Sequence, residues 1–281
     1  MQTILVTGAT GTIGSAILDH FKPNKEQRLY RSTRHLEHED GHQLYFDLDH
    51  LPDTIARLAQ VDVLFLLRPP QVTSEKVFKT LIRGAHEFGV QHIVFLSVQG
   101  ADRTPFVPHA KIERLIRESG ISYTFVRPSY FMNNLITAFE EDIRERCQIF
   151  VPAGRAKFLW VDAADIGKAI AAVLNDVRQH QNRVYTLTGS ESERLSFLEV
   201  ADILSQELGR DIKFVSPSPL RFFVAKRRVG VPASFISVMI MLHYGARFQR
   251  PAPVHLDLLH LTGQTPRSLA TFVRTHATVW Q

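Results

Sequence analysis

Near the start of the chain the residues Gly8-Ala9-Thr10-Gly11-Thr12-Ile13-Gly14 place glycine at the first, fourth and seventh positions of a seven-residue run. A strand that turns sharply into a helix needs such spacing when its backbone N–H groups must point at a phosphate. Side chains at the turn would block both the tight geometry and the close approach of the anion. Residues 2–7 form a short apolar run suited to a buried parallel strand. After the glycines, Ile13, Ala16, Ile17 and Phe21 recur at helical spacing until Pro23. In that context the run predicts a pyrophosphate cradle built from Gly8, Thr10, Gly11, Thr12, Ile13 and Gly14.

The second strand, expected over residues 28–32, leads into Arg31-Ser32-Thr33-Arg34, with no acidic residue before Glu37. A carboxylate at this point binds the ribose 2′-OH of NAD, whereas a guanidinium clamps a 2′-phosphate. The pattern favours NADP(H) over NAD(H), with Arg34 the first candidate for the phosphate and Arg31 the second. Two solvated loop arginines are the bland alternative. The nearby His35, His38 and His42, among Glu37, Glu39 and Asp40, have no regular ligand spacing, so no metal site is expected.

These residues must be positioned by a scaffold, and the first half of the chain supplies one by alternation. Apolar strands are expected over 43–46, 61–67, 92–97 and 122–127, with amphipathic helices over 51–59, 74–88 and 109–119. Strand–helix alternation with short connections predicts an α/β fold, a Rossmann-type doubly wound parallel sheet. Residues 1–155 are expected to form the dinucleotide domain, with parts of 156–190 completing its sheet. Residues 190–281 are expected to be a smaller C-terminal substrate lobe over the cleft.

Composition narrows the classes. Of 281 residues, 44% are hydrophobic and 22% charged, a globular balance that excludes extensive disorder. One cysteine, Cys147, rules out an internal disulfide. The longest apolar run, 229–242, is interrupted by Pro232, Ser234 and Ser237 and falls short of the roughly 20 residues of a membrane span. A cytoplasmic protein with no membrane partner is expected. The net charge of +5 fits a polyanionic dinucleotide ligand, and no basic-aromatic interleaving points to nucleic acid.

The chain resembles the NmrA-like group of atypical short-chain dehydrogenase/reductases, which includes quinone and triphenylmethane reductases and redox-sensing regulators. The resemblance rests on Thr7 to Gly14, Phe46-Asp47-Leu48, the segments 61–65 and 120–128, and Phe158 to Gly167. It implies that Asp47 and Leu48 border the adenine, and that Leu67 and Arg68 pass near the ribose and pyrophosphate. Arg68 departs from the small residue usual in the group.

Short-chain dehydrogenases proper carry Tyr-x-x-x-Lys on one helix face, where the lysine lowers the tyrosine pKa. The corresponding pair here is His109 and Glu113. Lys111, offset by two residues, is turned roughly 200° around the helix and cannot replace the lysine. Isoflavone-reductase-like relatives carry a lysine acid/base at the place of His109, so the resemblance makes His109 a candidate, titrating near neutrality and oriented by Glu113. A polar helix-start residue beside Pro108 is the alternative. Ser97, at its strand end, and Tyr130 are further candidate donors. Pro128, Tyr130, Phe131 and Asn133 should line the nicotinamide and substrate wall at the carboxyl edge of the sheet.

Two functions fit. One is an NADPH-dependent oxidoreductase reducing a small electrophile such as a quinone, enone or dye. The other is a non-catalytic NADP(H) sensor that docks on a regulatory protein partner through its basic, apolar C-terminal lobe. A homodimer face over Met239 and Met241 stays open, and loss of the tyrosine weakens a sugar-nucleotide epimerase.

Overall fold

The computed structural model describes every residue except Leu36, His38, Glu39 and Thr73. Three of these, Leu36, His38 and Glu39, belong to the histidine-rich loop noted above, so that arrangement lies partly outside the described residues. Contacts group the chain into two units. One comprises Met1–Pro128, Ala163–Leu187 and His255–Gln264, and the other Ser129–Asp162, Thr188–Val254 and Thr265–Gln281. Residues 129–155, assigned above to the dinucleotide domain, therefore group with the second unit. The segment His255–Gln264, assigned to the terminal lobe, groups with the first.

The first unit is built on six strands, β1 (Gln2–Val6), β2 (Gln27–Thr33), β3 (Gln43–Tyr45), β4 (Val63–Leu67), β5 (His92–Leu96) and β6 (Ser122–Pro128). A seventh, Arg183–Leu187, joins at one edge, giving the order Arg183–Leu187, β6, β5, β4, β1, β2, β3. Every pairing is parallel. The order reverses between β1 and β4, the switch point at which ligands bind in such sheets. Strands β4 and β5 read as continuous apolar runs because helices cover both their faces. Leu64, Phe65, Leu66, Ile93, Val94 and Phe95 are all fully buried.

Helices α1 (Thr12–His20), α2 (Leu51–Arg57), α3 (Glu75–Glu87) and α4 (Pro108–Glu118) follow the strands as the alternation requires. Helix α3 buries Phe78, Leu81, Ile82 and Ala85 at three- and four-residue intervals, one stripe on the sheet.

The second unit is built from shorter strands and helices. Tyr130–Phe131 pairs in parallel with Lys157–Val161, which pairs antiparallel with Arg194–Ser196. Gln148–Phe150 pairs with Lys213–Val215. Helix Phe197–Leu208 begins with a capping box: Ser196 Oγ accepts from Glu199 N–H while the Glu199 carboxylate accepts from Ser196 N–H. Phe139, Trp160, Phe197, Phe222, Phe272 and Trp280 fill its core.

Candidate functional site

Strand β1 ends at Val6, and Thr7 ties the turn to the neighbouring strand by accepting Leu67 N–H on its Oγ1 at 3.2 Å. Gly8 has φ +62°, in the left-handed region, and a Cβ there would lie 2.6 Å from Leu67 Cδ2. At Gly14 a Cβ would lie 2.0 Å from the Gly8 carbonyl oxygen. Gly11 donates its N–H to Gly8 O at 2.9 Å and forms the N-cap of α1 in extended conformation. No side chain caps that helix, so its first N–H groups face outward, unsatisfied by side chains, with the positive end of the helix dipole behind them. Thr10, Gly11 and Thr12 are exposed, whereas the Ile13 side chain is buried, leaving only its backbone to a ligand. The turn thus fits a pyrophosphate on steric and electrostatic grounds.

Arg31, near the end of β2, and Arg34, just beyond it, are both exposed. Asp47 is half-buried in a turn: its carbonyl accepts Thr54 Oγ1–H at 2.7 Å, and its carboxylate accepts Asp49 N–H at 3.0 Å. Leu48 packs at the margin of the sheet's core. Arg68, half-buried just after β4, reaches Pro70 O at 3.4 Å, and burial lowers its pKa.

The acid/base expectations need correction. Glu113 does not hold His109. Its carboxylate, 1% exposed, accepts Arg127 Nε–H at 2.8 Å and Nη2–H at 2.6 Å, Arg117 Nη2–H at 3.2 Å and the Ser97 hydroxyl at 2.6 Å. Arg127 Nη1 adds a bond to Asp102 at 3.0 Å, and the bond to Glu113 raises the arginine's pKa. Ser97 is therefore a buried structural donor and presents no free hydroxyl to a substrate.

His109, half-buried on the first turn of α4, lies with its ring centroid 6.2 Å from that of Phe95. Burial lowers its pKa to about 4, aided by the charge of Arg68 and opposed by Glu113, so the ring is neutral at neutral pH instead of titrating there. Lys111 turns away as its offset predicts, pairing with Glu75 of α3 at 3.3 Å.

Tyr130 is also committed within the protein. His243 Nδ1–H donates to Met239 O at 2.6 Å, which makes Nε2 the acceptor of the Tyr130 hydroxyl at 2.7 Å. Desolvation raises the tyrosine pKa, and Trp160, Phe158 and Phe197 surround the ring. It is a packed anchor, not a ready proton donor. Phe131 is half-buried in its short strand, and Asn133, two residues on, is buried. Pro128 is buried at the end of β6 and accepts Gln99 N–H at 3.0 Å.

Sequence reasoning missed two residues. Gln99, shortly after β5, has a buried Nε2 without a partner, and Ser129, directly after β6, has a buried Oγ in the same condition. A buried polar atom left unpaired costs about 1–3 kcal/mol, so each of the two calls for a further hydrogen-bond partner. Their positions just past parallel strand ends were the only advance signal.

The sequence profile of the NmrA-like family matches residues 1–239. The chain belongs to the NmrA-like family. An NAD(P)H azoreductase of Xenophilus azovorans is 31% identical over 283 residues, covering 98% of both chains. Among solved structures, the triphenylmethane reductase of Citrobacter sp. complexed with NADP(H) superposes with a TM-score of 0.81 at 22% identity, covering 97% of this chain and 99% of that one. NmrA, a negative transcriptional regulator in complex with NAD, gives 0.74 at 17% identity, covering 97% and 94%. At these identities the structures establish the shared NmrA-like fold. Among the described residues of this NmrA-like chain no cluster of histidine, cysteine or carboxylate could hold a metal ion, and no helix is long and apolar enough to cross a membrane.

Proposed function

We propose that the chain is an NADPH-dependent reductase of a small, electron-poor acceptor, in the class of quinones, enones, azo compounds and cationic dyes. The observation that carries this reading is the glycine turn, with its uncapped helix start and its followers Arg31 and Arg34 where a carboxylate would select NAD. Similarity to an NAD(P)H azoreductase over nearly the full chain supports it.

When bound, the dinucleotide would supply a hydride; a quinone, enone or azo acceptor then takes one proton from solvent, whereas a cationic dye is neutralised by the hydride alone. The protein's part is binding and orientation. Gly8, Thr10, Gly11, Thr12, Ile13 and Gly14 hold the pyrophosphate, and Arg34 and Arg31 the 2′-phosphate. Asp47 and Leu48 border the adenine, Leu67 and Arg68 the ribose. Pro128 walls the nicotinamide, and neutral His109 donates a hydrogen bond to the acceptor. An electron-poor acceptor suits a protein in which Ser97, Glu113 and Tyr130 are all bonded internally, because hydride addition then needs no strong protein acid. Loss of NADPH absorbance is expected with at least one class in a panel of quinones, azo dyes, triphenylmethane dyes and enones. Absence of turnover across the whole panel would overturn the reading.

A second reading, an NADP(H) sensor acting on a protein partner, is favoured by one feature: Ser97 and Glu113, at positions suited to chemistry, are locked in an ion-pair network. It predicts a partner captured from lysate with NADPH but not NADP+, or the reverse. Capture indifferent to the cofactor would exclude it.

A further inference from the structure

The positive charge of this protein is concentrated in one place. Between Ile212 and Leu256 there are seven arginines and lysines and no aspartate or glutamate, so this stretch carries +7 while the remainder of the chain is net −2. Two helices dominate it, Pro219–Arg228 and Ala233–Ala246, and they pack against each other. Lys226 is spent internally on Asp142 at 2.6 Å, and Lys213 faces Asp211 at 3.5 Å. Arg221, Arg227, Arg228, Arg247 and Arg250 are exposed, and among the described residues none of them has a carboxylate in ion-pair range.

The same helices expose apolar side chains. Helix Ala233–Ala246 buries one stripe, Ile236, Met239 and His243, and turns Phe235, Val238, Met241 and Leu242 to the outside, each 44–52% exposed. On the other helix Leu220 is 73% exposed and shares a stripe with Val224 and Arg227 at helical spacing. Phe248, just beyond the second helix, is 75% exposed. A helix apolar on nearly all sides, with only one stripe packed, requires a second apolar environment.

We infer that this helical hairpin is a docking surface for an anionic lipid bilayer, on which the apolar side chains enter the headgroup boundary while the surrounding arginines meet lipid phosphates and carboxylates. Charge complementarity selects this occupant. A second copy docked through the same face would bring five unpaired guanidinium groups against five more with no counter-charge. Nucleic acid would bury the guanidinium groups against its phosphates but leave Val238, Met241, Leu242 and Leu220 in water, whereas a bilayer takes up both. At 14 residues the second helix is about 21 Å long, too short for a hydrocarbon core of about 30 Å, so it lies in the interface and does not span it.

The test uses the full chain in co-sedimentation with vesicles of phosphatidylcholine alone, or containing about one-third phosphatidylserine. Binding to the anionic vesicles is expected to exceed binding to neutral ones about tenfold or more, and to fall steeply at about 0.5 M salt. Leu242→Ser with Phe248→Ser, and separately Arg227→Glu with Arg228→Glu, should each reduce it about tenfold, with circular dichroism and NADPH affinity unchanged. Four results would overturn the proposal: no binding to anionic vesicles, equal binding to neutral ones, indifference to the apolar substitutions, or a wild-type dimer that these substitutions convert to monomer. Tight binding of duplex DNA or of an acidic protein without vesicle binding would likewise replace lipid as the occupant.

Discussion

Tyr130 donates its hydroxyl proton to Nε2 of His243, 113 residues further along the chain, at 2.7 Å. The bond joins a two-residue strand to a helix of the second unit and leaves neither group with a proton to exchange. Tyr130→Phe should therefore keep kcat within about threefold of wild type while costing about 1–3 kcal/mol of stability, because the imidazole nitrogen is left buried and unpaired. Urea denaturation read alongside NADPH-dependent turnover separates the two. A loss of turnover of about 100-fold or more with unchanged stability would restore the tyrosine as a proton donor.

The Glu113–Arg127 pair predicts a non-additive response. Arg127→Met strands a buried carboxylate and should destabilise by about 3–5 kcal/mol, and Glu113→Leu should cost a similar amount. The double substitution removes both charges and should recover much of that loss, giving a large coupling energy in a double-mutant cycle. Additive losses would show that the two groups do not depend on each other.

His92 and His243 are almost completely buried, and desolvation lowers both pKa values to about 4 from 6.5. Their folded pKa values lie below the unfolded ones, so between those limits the unfolded chain binds protons that the folded chain refuses. Stability is full above about pH 6.5 and falls as pH drops toward 4, by on the order of 3 kcal/mol for each ring. Urea midpoints measured across this window should fall with acid. His92→Asn, which keeps hydrogen-bonding capacity towards Ser122 and Thr124, should flatten the slope.

Fluorescence titration tests the cofactor assignment. Arg34→Ala should weaken NADPH about tenfold and leave NADH unchanged, with Arg31→Ala smaller in the same direction. Equal affinities for the two dinucleotides, unmoved by either substitution, would reverse the preference.

Much of the first unit was legible because its determinants are local. The glycine spacing fixes a backbone turn, and buried parallel strands such as β4 and β5 are continuous apolar runs that no other element requires. The short strands Tyr130–Phe131 and Gln148–Phe150 of the second unit were not, since they exist only through pairing with Val161 and Val215, distant in sequence. At the candidate site, spacing correctly excluded Lys111 but could not reveal that Glu113 turns toward Arg127 on the neighbouring strand and not toward His109. The orphaned Gln99 amide has no sequence signature at all. The acid-free stretch from Ile212 to Leu256 was countable from the start, but without burial its unpaired arginines could not be told from paired ones.

The network that welds Ser97, Glu113 and Arg127 also closes an evolutionary road. Returning to Tyr-x-x-x-Lys chemistry would require lysine at 113, which would set a third cation between Arg127 and Arg117 in a buried space. Removing Arg127 beforehand strands the glutamate. Each single step crosses a stability deficit of several kcal/mol that a marginally stable protein cannot absorb, and only a concerted change escapes it. A chain built around this pair can vary its acceptor pocket by single steps, whereas lysine at 113 is reachable only through coupled changes.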